Sequence, residues 1–241
     1  MSVYLSFKTK DLLMTREDMH LDISLLKKTF RLSSVTALHQ SNLYIGKICV
    51  QGAVNLLDTP IIASFTAVSR IEGFANSFGD SGSSALSIFI AQNVGANSKE
   101  ATARIKRAFL LCTLLLSALG IFSSAIMYFT ANYTVYFMLG TADGISFNEA
   151  INYLQTISLF YIFCFTGNAF VGYFDGYGKV HIPVIGATGH ILLRVLLSFA
   201  FIKSFGLNTV AIVTGIGWIL VNAFWFILYR KHHESVTKTY K

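Results

Sequence analysis

Several ionisable residues lie inside otherwise apolar stretches of this sequence, and the acidic ones among them can bind a cation or a proton. Glu72 and Asp80 belong to the segment from Ile61 to Ala96, and Lys47 belongs to the segment before it. A charged side chain within a lipid bilayer is unfavourable unless it faces a cavity or an opposite charge. The carboxylates therefore predict a site for Na+, H+ or a cationic solute, with a permanent ion pair between Lys47 and Glu72 as the alternative.

The acidic residues share one face of a predicted helix. At about 100° per residue, a narrow stripe holds Ser69, Glu72, Asn76, Asp80, Ser83 and Ser87. Arg70 points elsewhere, because residues two apart on a helix do not face each other. A similar polar face in the preceding segment holds Gln40, Tyr44, Lys47, Gln51 and Asn55. The candidate substrate- or ion-binding residues are Glu72, Asp80, Lys47, Asn76, Gln51 and Asn55, and the candidate structural or charge-pairing residues are Arg70 and Arg194.

The composition places these residues in a membrane protein. Of 241 residues, 54% are hydrophobic and 13% are charged, whereas soluble domains carry about 25% charged residues. The basic residues flank the apolar segments, so the net charge of +7 indicates contact with membrane lipid and not with nucleic acid. The three cysteines are odd in number and lack metal-ligand spacing, so neither a disulfide framework nor a metal site is predicted.

Hydropathy predicts a six-helix transmembrane bundle over residues 31–230. Residues 1–30 form a cytoplasmic lead-in, for which a helix on the membrane surface is one interpretation, and residues 231–241 form a solvated cytoplasmic tail with His232 and His233. A polar loop is expected over residues 131–149. The predicted spans are residues 32–57, 61–92, 108–130, 153–174, 182–202 and 207–229.

The distribution of basic residues predicts the orientation. Fifteen of the nineteen Lys and Arg residues lie in the lead-in, the tail, and the connections after the second and fourth spans. These segments share one side of a six-span topology. By the positive-inside rule, both termini are cytoplasmic in a multi-pass protein of the cell membrane.

Motifs of the common enzyme classes are absent from the sequence. It contains no GxxxxGK[ST] loop, no GxSxG turn and no HExxH helix, so neither ATP-driven pumping nor hydrolysis is indicated. We therefore expect no enzyme activity and no cofactor, and any transport would be driven by an ion gradient.

Several strings resemble the MATE (multidrug and toxic compound extrusion) family of secondary transporters. IIASFTAVSRIEGF and ALSIFIAQNVGA, followed by a basic connection, are similar to the family's eighth helix and the loop after it. LLKKTFRLSSVTALHQSNLYIGKICVQGAVN resembles the helix that opens the second half of such proteins. FVGYFDGYGKVHIPVI is similar to the loop between their tenth and eleventh helices. The resemblance covers nearly everything after about Ser24.

The resemblance implies an all-α fold, namely the C-terminal six-helix lobe of a two-lobe antiporter that exports drugs and other organic cations in exchange for Na+ or H+. Partners would be small organic cations and either an N-terminal six-helix half or a second copy of the chain. The sequence departs from the family pattern where Val35 replaces a common proline, where Cys164 to Thr166 replace an acidic residue, and at Lys47, where an uncharged residue is usual. The coupling ion therefore stays open between Na+ and H+, and Lys47 could stand in for a bound cation.

Two other functions fit the same sequence. One is a lipid-linked oligosaccharide flippase-like half, which would favour a wide basic cavity. The other is a fragment or membrane subunit that does not transport. The mixed acidic and basic lining favours cation export over the flippase.

Overall fold

The computed structural model describes residues 22–96 and 98–239, with the backbone only at 28, 31, 32, 233 and 235–239. The chain divides into two units, residues 1–37 and residues 38–241. Most of the predicted lead-in lies outside the described residues. The described part of the first unit is the beginning of the first helix, and the second unit contains every candidate site residue.

Every regular element among the described residues is an α-helix, which confirms the predicted all-α class. The helices are α1 (Ile23–Val54), α2 (Thr59–Ala96), α3 (Lys99–Phe129), α4 (Ala131–Leu139), α5 (Ile145–Ser158), α6 (Tyr161–Gly176), α7 (His181–Phe205) and α8 (Asn208–Thr239).

Several of these helices can cross a membrane. Helix α3, helix α7 and residues Asn208–His232 of α8 are long and apolar enough, and α5 with α6 forms a fourth candidate span bent by 51°. Helices α1 and α2 have the required length, with 32 and 38 residues, but they carry the polar faces that lower their hydropathy. The structure thus supports an integral membrane bundle, and spanning by α1 and α2 stays a prediction.

The prediction of a polar loop over residues 131–149 is wrong. Helix α4 occupies its first half, and α5 begins at Ile145. Gly140 ends α4 with a left-handed φ of 70° while its N–H donates to the carbonyl of Tyr136, a conformation that favours glycine. The predicted fourth span is likewise two helices, because the chain bends between α5 and α6. A short helix of nine residues is hidden when hydropathy is averaged over a longer window.

Helix α2 lies at the centre of the packing, against α3, α5 and α6. Its contact with α6 is close because glycines of α6 face the α2 backbone. A Cβ added at Gly172 would lie 2.5 Å from the Ser83 carbonyl oxygen, and one at Gly176 would lie 2.8 Å from that of Ser87. Small residues at a helix interface let two backbones approach in this way. This contact fixes the position of α6 beside the polar stripe of α2.

The connection from α2 to α3 is held by side-chain hydrogen bonds. The Ser98 hydroxyl accepts from the backbone N–H of Ala101 and caps α3, as Ser prefers to do at a helix start. Arg104 Nε donates to Asn93 Oδ1 at 2.8 Å. Hydrogen bonds from its own backbone N–H and from Ser98 hold the pKa of Glu100 below its usual value.

Candidate functional site

The side chain of Glu72 lies in the interior of the bundle, beside residues of three other helices. Its Oε1 atom is buried and has no hydrogen-bond partner. Arg194 of α7 and, more weakly, Lys47 of α1 act electrostatically on its carboxylate, although no direct ion pair joins them among the described residues, and Tyr153 of α5 lies nearby. The structure therefore brings Glu72 together with Arg194, which the sequence suggested only as a charge-pairing residue.

Two neighbours of Glu72 also carry buried polar atoms with unmet hydrogen-bonding capacity. Tyr153 Oη and Arg194 Nε each lack a hydrogen-bond partner. Tyr153 is fully buried, and its ring packs edge-on against Phe65 with 5.8 Å between ring centroids. Buried polar groups in native proteins are normally paired with protein, water or a ligand. We call Glu72, Tyr153 and Arg194 the polar chamber, and its groups are suited to hold an ion, a proton or water.

Helix α6 forms one side of the polar chamber. The Tyr161 hydroxyl donates to the backbone carbonyl of Glu72 at 3.4 Å, and Cys164 Sγ donates to Asn76 Oδ1 at 3.4 Å. Thr166 shares a 3.1 Å hydrogen bond with Ser117 of α3. This part of α6 thus presents a thiol and a hydroxyl, and no carboxylate, toward α2 and α3.

Lys47 and Asp80 lie at more open positions than Glu72. Both side chains are exposed, and Lys47 acts electrostatically on the carboxylates of Asp80 and Glu72. The Lys47 ammonium lies 5.2 Å from the centroid of the Tyr44 ring, within the range of a cation–π contact. The Lys47 ammonium therefore contributes a positive potential at the carboxylates of Asp80 and Glu72 without a direct ion pair among the described residues.

The remaining predicted residues separate into two groups. Gln51 Nε2 donates to Asn55 Oδ1 at 2.9 Å along α1, and Arg70 is exposed on a different side of α2 from Glu72. Ser83, at the far end of the polar stripe, is buried against Gly172. The stripe is thus divided, since one end lines the polar chamber and the other packs against α6.

Two tyrosines and a histidine lie where the sequence pattern did not predict them. Tyr153 and Tyr161 are eight residues apart and fully buried, and buried tyrosines in apolar helices usually need a polar partner; that spacing was an available clue. The prediction of a solvated tail is wrong at His232, because its Nδ1 lies 3.0 Å from the Tyr173 hydroxyl. Aromatic packing between α6 and α8 holds that part of the tail.

Comparisons with known proteins give a family and a fold. The family model MatE matches residues 36–200, while none of the curated proteins matches the chain. Similar solved structures include a MOP superfamily transporter from Pyrococcus furiosus, whose reversed pocket polarity is said to suggest a different function (TM-score 0.86, 17% identity, 98% of this chain and 53% of that one). Others are a multidrug resistance MATE family transporter in its outward-facing conformation (TM-score 0.85, 17% identity, 99% and 54%) and one in an inward-facing conformation (TM-score 0.78, 17% identity, 100% and 56%).

Proposed function

The chain belongs to the MatE family, and from this premise we propose that it is one half of an antiporter that exports organic cations in exchange for Na+ or H+. Its fold is that of a MATE transporter lobe, and it spans about half the length of the solved transporters that it matches. The ion, the substrate and the need for a second half are parts of the proposal. No enzymatic step is required.

The observation that carries the proposal is the buried and unpartnered Oε1 of Glu72. Glu72 lies about 20 Å along α2 from its first residue, at 1.5 Å per residue. At such a depth a lone carboxylate is unfavourable, so it attracts a proton or a cation. A carboxylate that binds the coupling ion and the organic cation in turn couples their movements, because it can hold only one of them at a time.

Arg194 supplies the competing charge. Its guanidinium is the strongest electrostatic partner of the Glu72 carboxylate, so it can neutralise Glu72 when no cation is bound. A bound cation would compete with that interaction, and its release would restore it. The ion pair and the transport site are then alternative states of one carboxylate.

The lipid-linked oligosaccharide flippase-like half stays the second candidate, and the buried, unpartnered Nε of Arg194 favours it. An unpaired guanidinium N–H can donate a hydrogen bond to a phosphate oxygen of an anionic headgroup. Removal of Glu72 would abolish cation export, whereas headgroup transfer would depend on Arg194 instead. Among the described residues, the Asp80 side chain makes no hydrogen bond to the polar chamber. Headgroup transfer by a flippase should therefore be unaffected by Asp80→Asn.

The proposal is tested by ethidium efflux from pump-deficient cells that express the chain alone or with an N-terminal six-helix half. We expect gradient-dependent efflux in at least one arrangement, with loss in Glu72→Gln and a reduction in Asp80→Asn. Glu100→Gln is the matched control, because it makes the same chemical change at an exposed carboxylate outside the apolar segments. Efflux that is equal in Glu72→Gln and Glu100→Gln would contradict the role of Glu72.

We further propose that both termini are cytoplasmic. The support is the concentration of Lys and Arg in segments that share one side of the predicted topology. Fusion of a green fluorescent protein or of alkaline phosphatase to each end tests this placement. Fluorescence without phosphatase activity is expected at both ends, and the opposite pattern at either end would refute it.

Absence of efflux in every arrangement, despite inserted protein, would favour the third candidate, a membrane subunit that does not transport. Self-association can be separated from pairing with another half by expressing the chain with two different affinity tags. Co-purification of the two tagged copies, with efflux from the chain alone, indicates a homodimeric transporter.

A further inference from the structure

The beginning of α3 and the last part of α8 meet in an aromatic contact. Phe109 of α3 stacks on Tyr229 of α8 with 4.4 Å between ring centroids, and both rings contact Tyr173 of α6. Helix α3 begins at this end of the bundle and α8 approaches it, so the residues before Phe109 and those after Tyr229 lie at a similar level. We call residues 106–109 of α3 and 229–231 of α8 the α3–α8 seam.

The α3–α8 seam carries four basic side chains. Lys106 and Arg107 precede Phe109, Arg230 and Lys231 follow Tyr229, and all four are exposed. Along the chain, one acidic residue, at position 234, lies within four positions of any of them. The seam therefore has a clear excess of positive charge at the protein surface, which an anionic partner would balance.

The other basic residues at the beginning of α3 have partners in the protein. Lys99 and Arg104 act electrostatically on Glu100, and Arg104 also donates to Asn93. These two side chains are thus engaged by the connection between α2 and α3, in contrast to the four of the seam.

Exposed apolar side chains continue from the seam along both helices. Leu110 and Leu114 of α3 and Phe226 and Ile227 of α8 are each about half exposed or more. In a bilayer, charged headgroups lie at the interface and acyl chains fill the hydrocarbon core. A cationic cluster that borders exposed apolar surface on the same two helices matches both parts of an anionic phospholipid.

We propose that the α3–α8 seam binds an anionic phospholipid, whose phosphate is held by Lys106 and Arg230 and whose acyl chains lie along α3 and α8. A guanidinium can hold a phosphate through two parallel N–H···O bonds, and an ammonium adds a point charge. A zwitterionic lipid fits less well, because Arg107 and Lys231 repel the cation of its headgroup. The seam shares no residue with the cation site of the proposed function and does not depend on it.

Native mass spectrometry of the full chain in a neutral detergent tests the proposal, because it counts bound lipids and gives the affinity of each. The probes are phosphatidylglycerol and phosphatidylcholine with the same acyl chains. Soluble glycerol phosphate is the third probe, since it has the phosphate without the chains and separates a lipid site from a site for free phosphate.

We expect the first phosphatidylglycerol to bind about tenfold more tightly than phosphatidylcholine. Lys106→Gln and Arg230→Gln should each weaken that binding about fivefold, as the loss of one basic residue near anionic lipid predicts, and the double variant should bind the two lipids almost equally. Lys203→Gln is the matched control, because it removes an exposed lysine from the last turn of α7, and it should leave the affinity unchanged.

Three results would overturn the proposal. Equal affinity of the unaltered chain for the two lipids would show that the seam does not select an anionic headgroup. The same affinity in Lys106→Gln and Lys203→Gln, with or without a loss, would place the bound lipid elsewhere. Displacement of phosphatidylglycerol by a similar concentration of glycerol phosphate would show a site for free phosphate and not for lipid.

Discussion

Substitution of Gly172 by alanine should loosen the contact that positions α6 beside Glu72. The new Cβ would lie 2.5 Å from the Ser83 carbonyl oxygen and 3.1 Å from its Cα. Ordinary contacts are about 3.5–4.0 Å, so α2 and α6 must separate by about 1 Å. The obstacle is backbone, so no side chain can rotate away.

The magnitude follows from a comparison with Gly73→Ala on α2, where the new Cβ meets no atom within 4 Å. Both substitutions gain the same helix propensity, about 1 kcal/mol, so their difference isolates the clash. Overpacking of this size destabilises by about 1–3 kcal/mol. For a chain of this length that free energy corresponds to about 2–12 °C in Tm.

The assay is thermal unfolding of both variants in the same detergent, followed by size-exclusion chromatography of the remaining folded protein. Gly172→Ala should have the lower apparent Tm and, in efflux, the lower activity, because displacement of α6 moves Tyr161 and Cys164 away from α2. A Tm for Gly172→Ala equal to or above that of Gly73→Ala would refute the close backbone contact.

Two further predictions concern charged groups. Arg194→Gln should lower the Tm, because it removes the positive charge that acts most strongly on the buried Glu72 carboxylate, and adding Glu72→Gln should recover part of that loss; strictly additive losses would contradict the coupling. The pKa of Glu100 is lowered in the folded chain by its own backbone N–H and by Ser98, so this contribution to stability is present above the ordinary Glu pKa and is lost as the pH falls through the lower, folded value. Ser98→Ala should bring the Glu100 pKa back toward the ordinary value in an NMR titration, and an unchanged pKa would contradict the cap.

The sequence was informative where the argument depended on periodicity within one helix. The shared face of Glu72 and Asn76 on α2 follows from residue spacing, and the structure places both beside α6. Pro60 lies in the first turn of α2, where its missing N–H is tolerated. Such features are local, so one helix is sufficient to predict them.

Contacts between distant helices could not be predicted in the same way. The electrostatic coupling of Glu72 with Arg194 joins residues more than a hundred positions apart, and it depends on how α2 and α7 are placed in the bundle. The sequence offered an ion pair between Lys47 and Glu72, whose predicted helices are adjacent in the chain, but Lys47 is exposed and Arg194 acts more strongly on the Glu72 carboxylate. The bend between α5 and α6, which brings Tyr153 and Tyr161 to the polar chamber, has no Pro or Gly to mark it.

The most direct measurement is ethidium transport in vesicles that contain the purified chain, with and without an N-terminal six-helix half, under an imposed Na+ or H+ gradient. Our proposal predicts transport that follows one gradient, stops when that gradient is collapsed, and is lost in Glu72→Gln but retained in Glu100→Gln. Gradient-independent movement of ethidium, or full transport by Glu72→Gln, would contradict a cation antiporter half that uses this buried carboxylate.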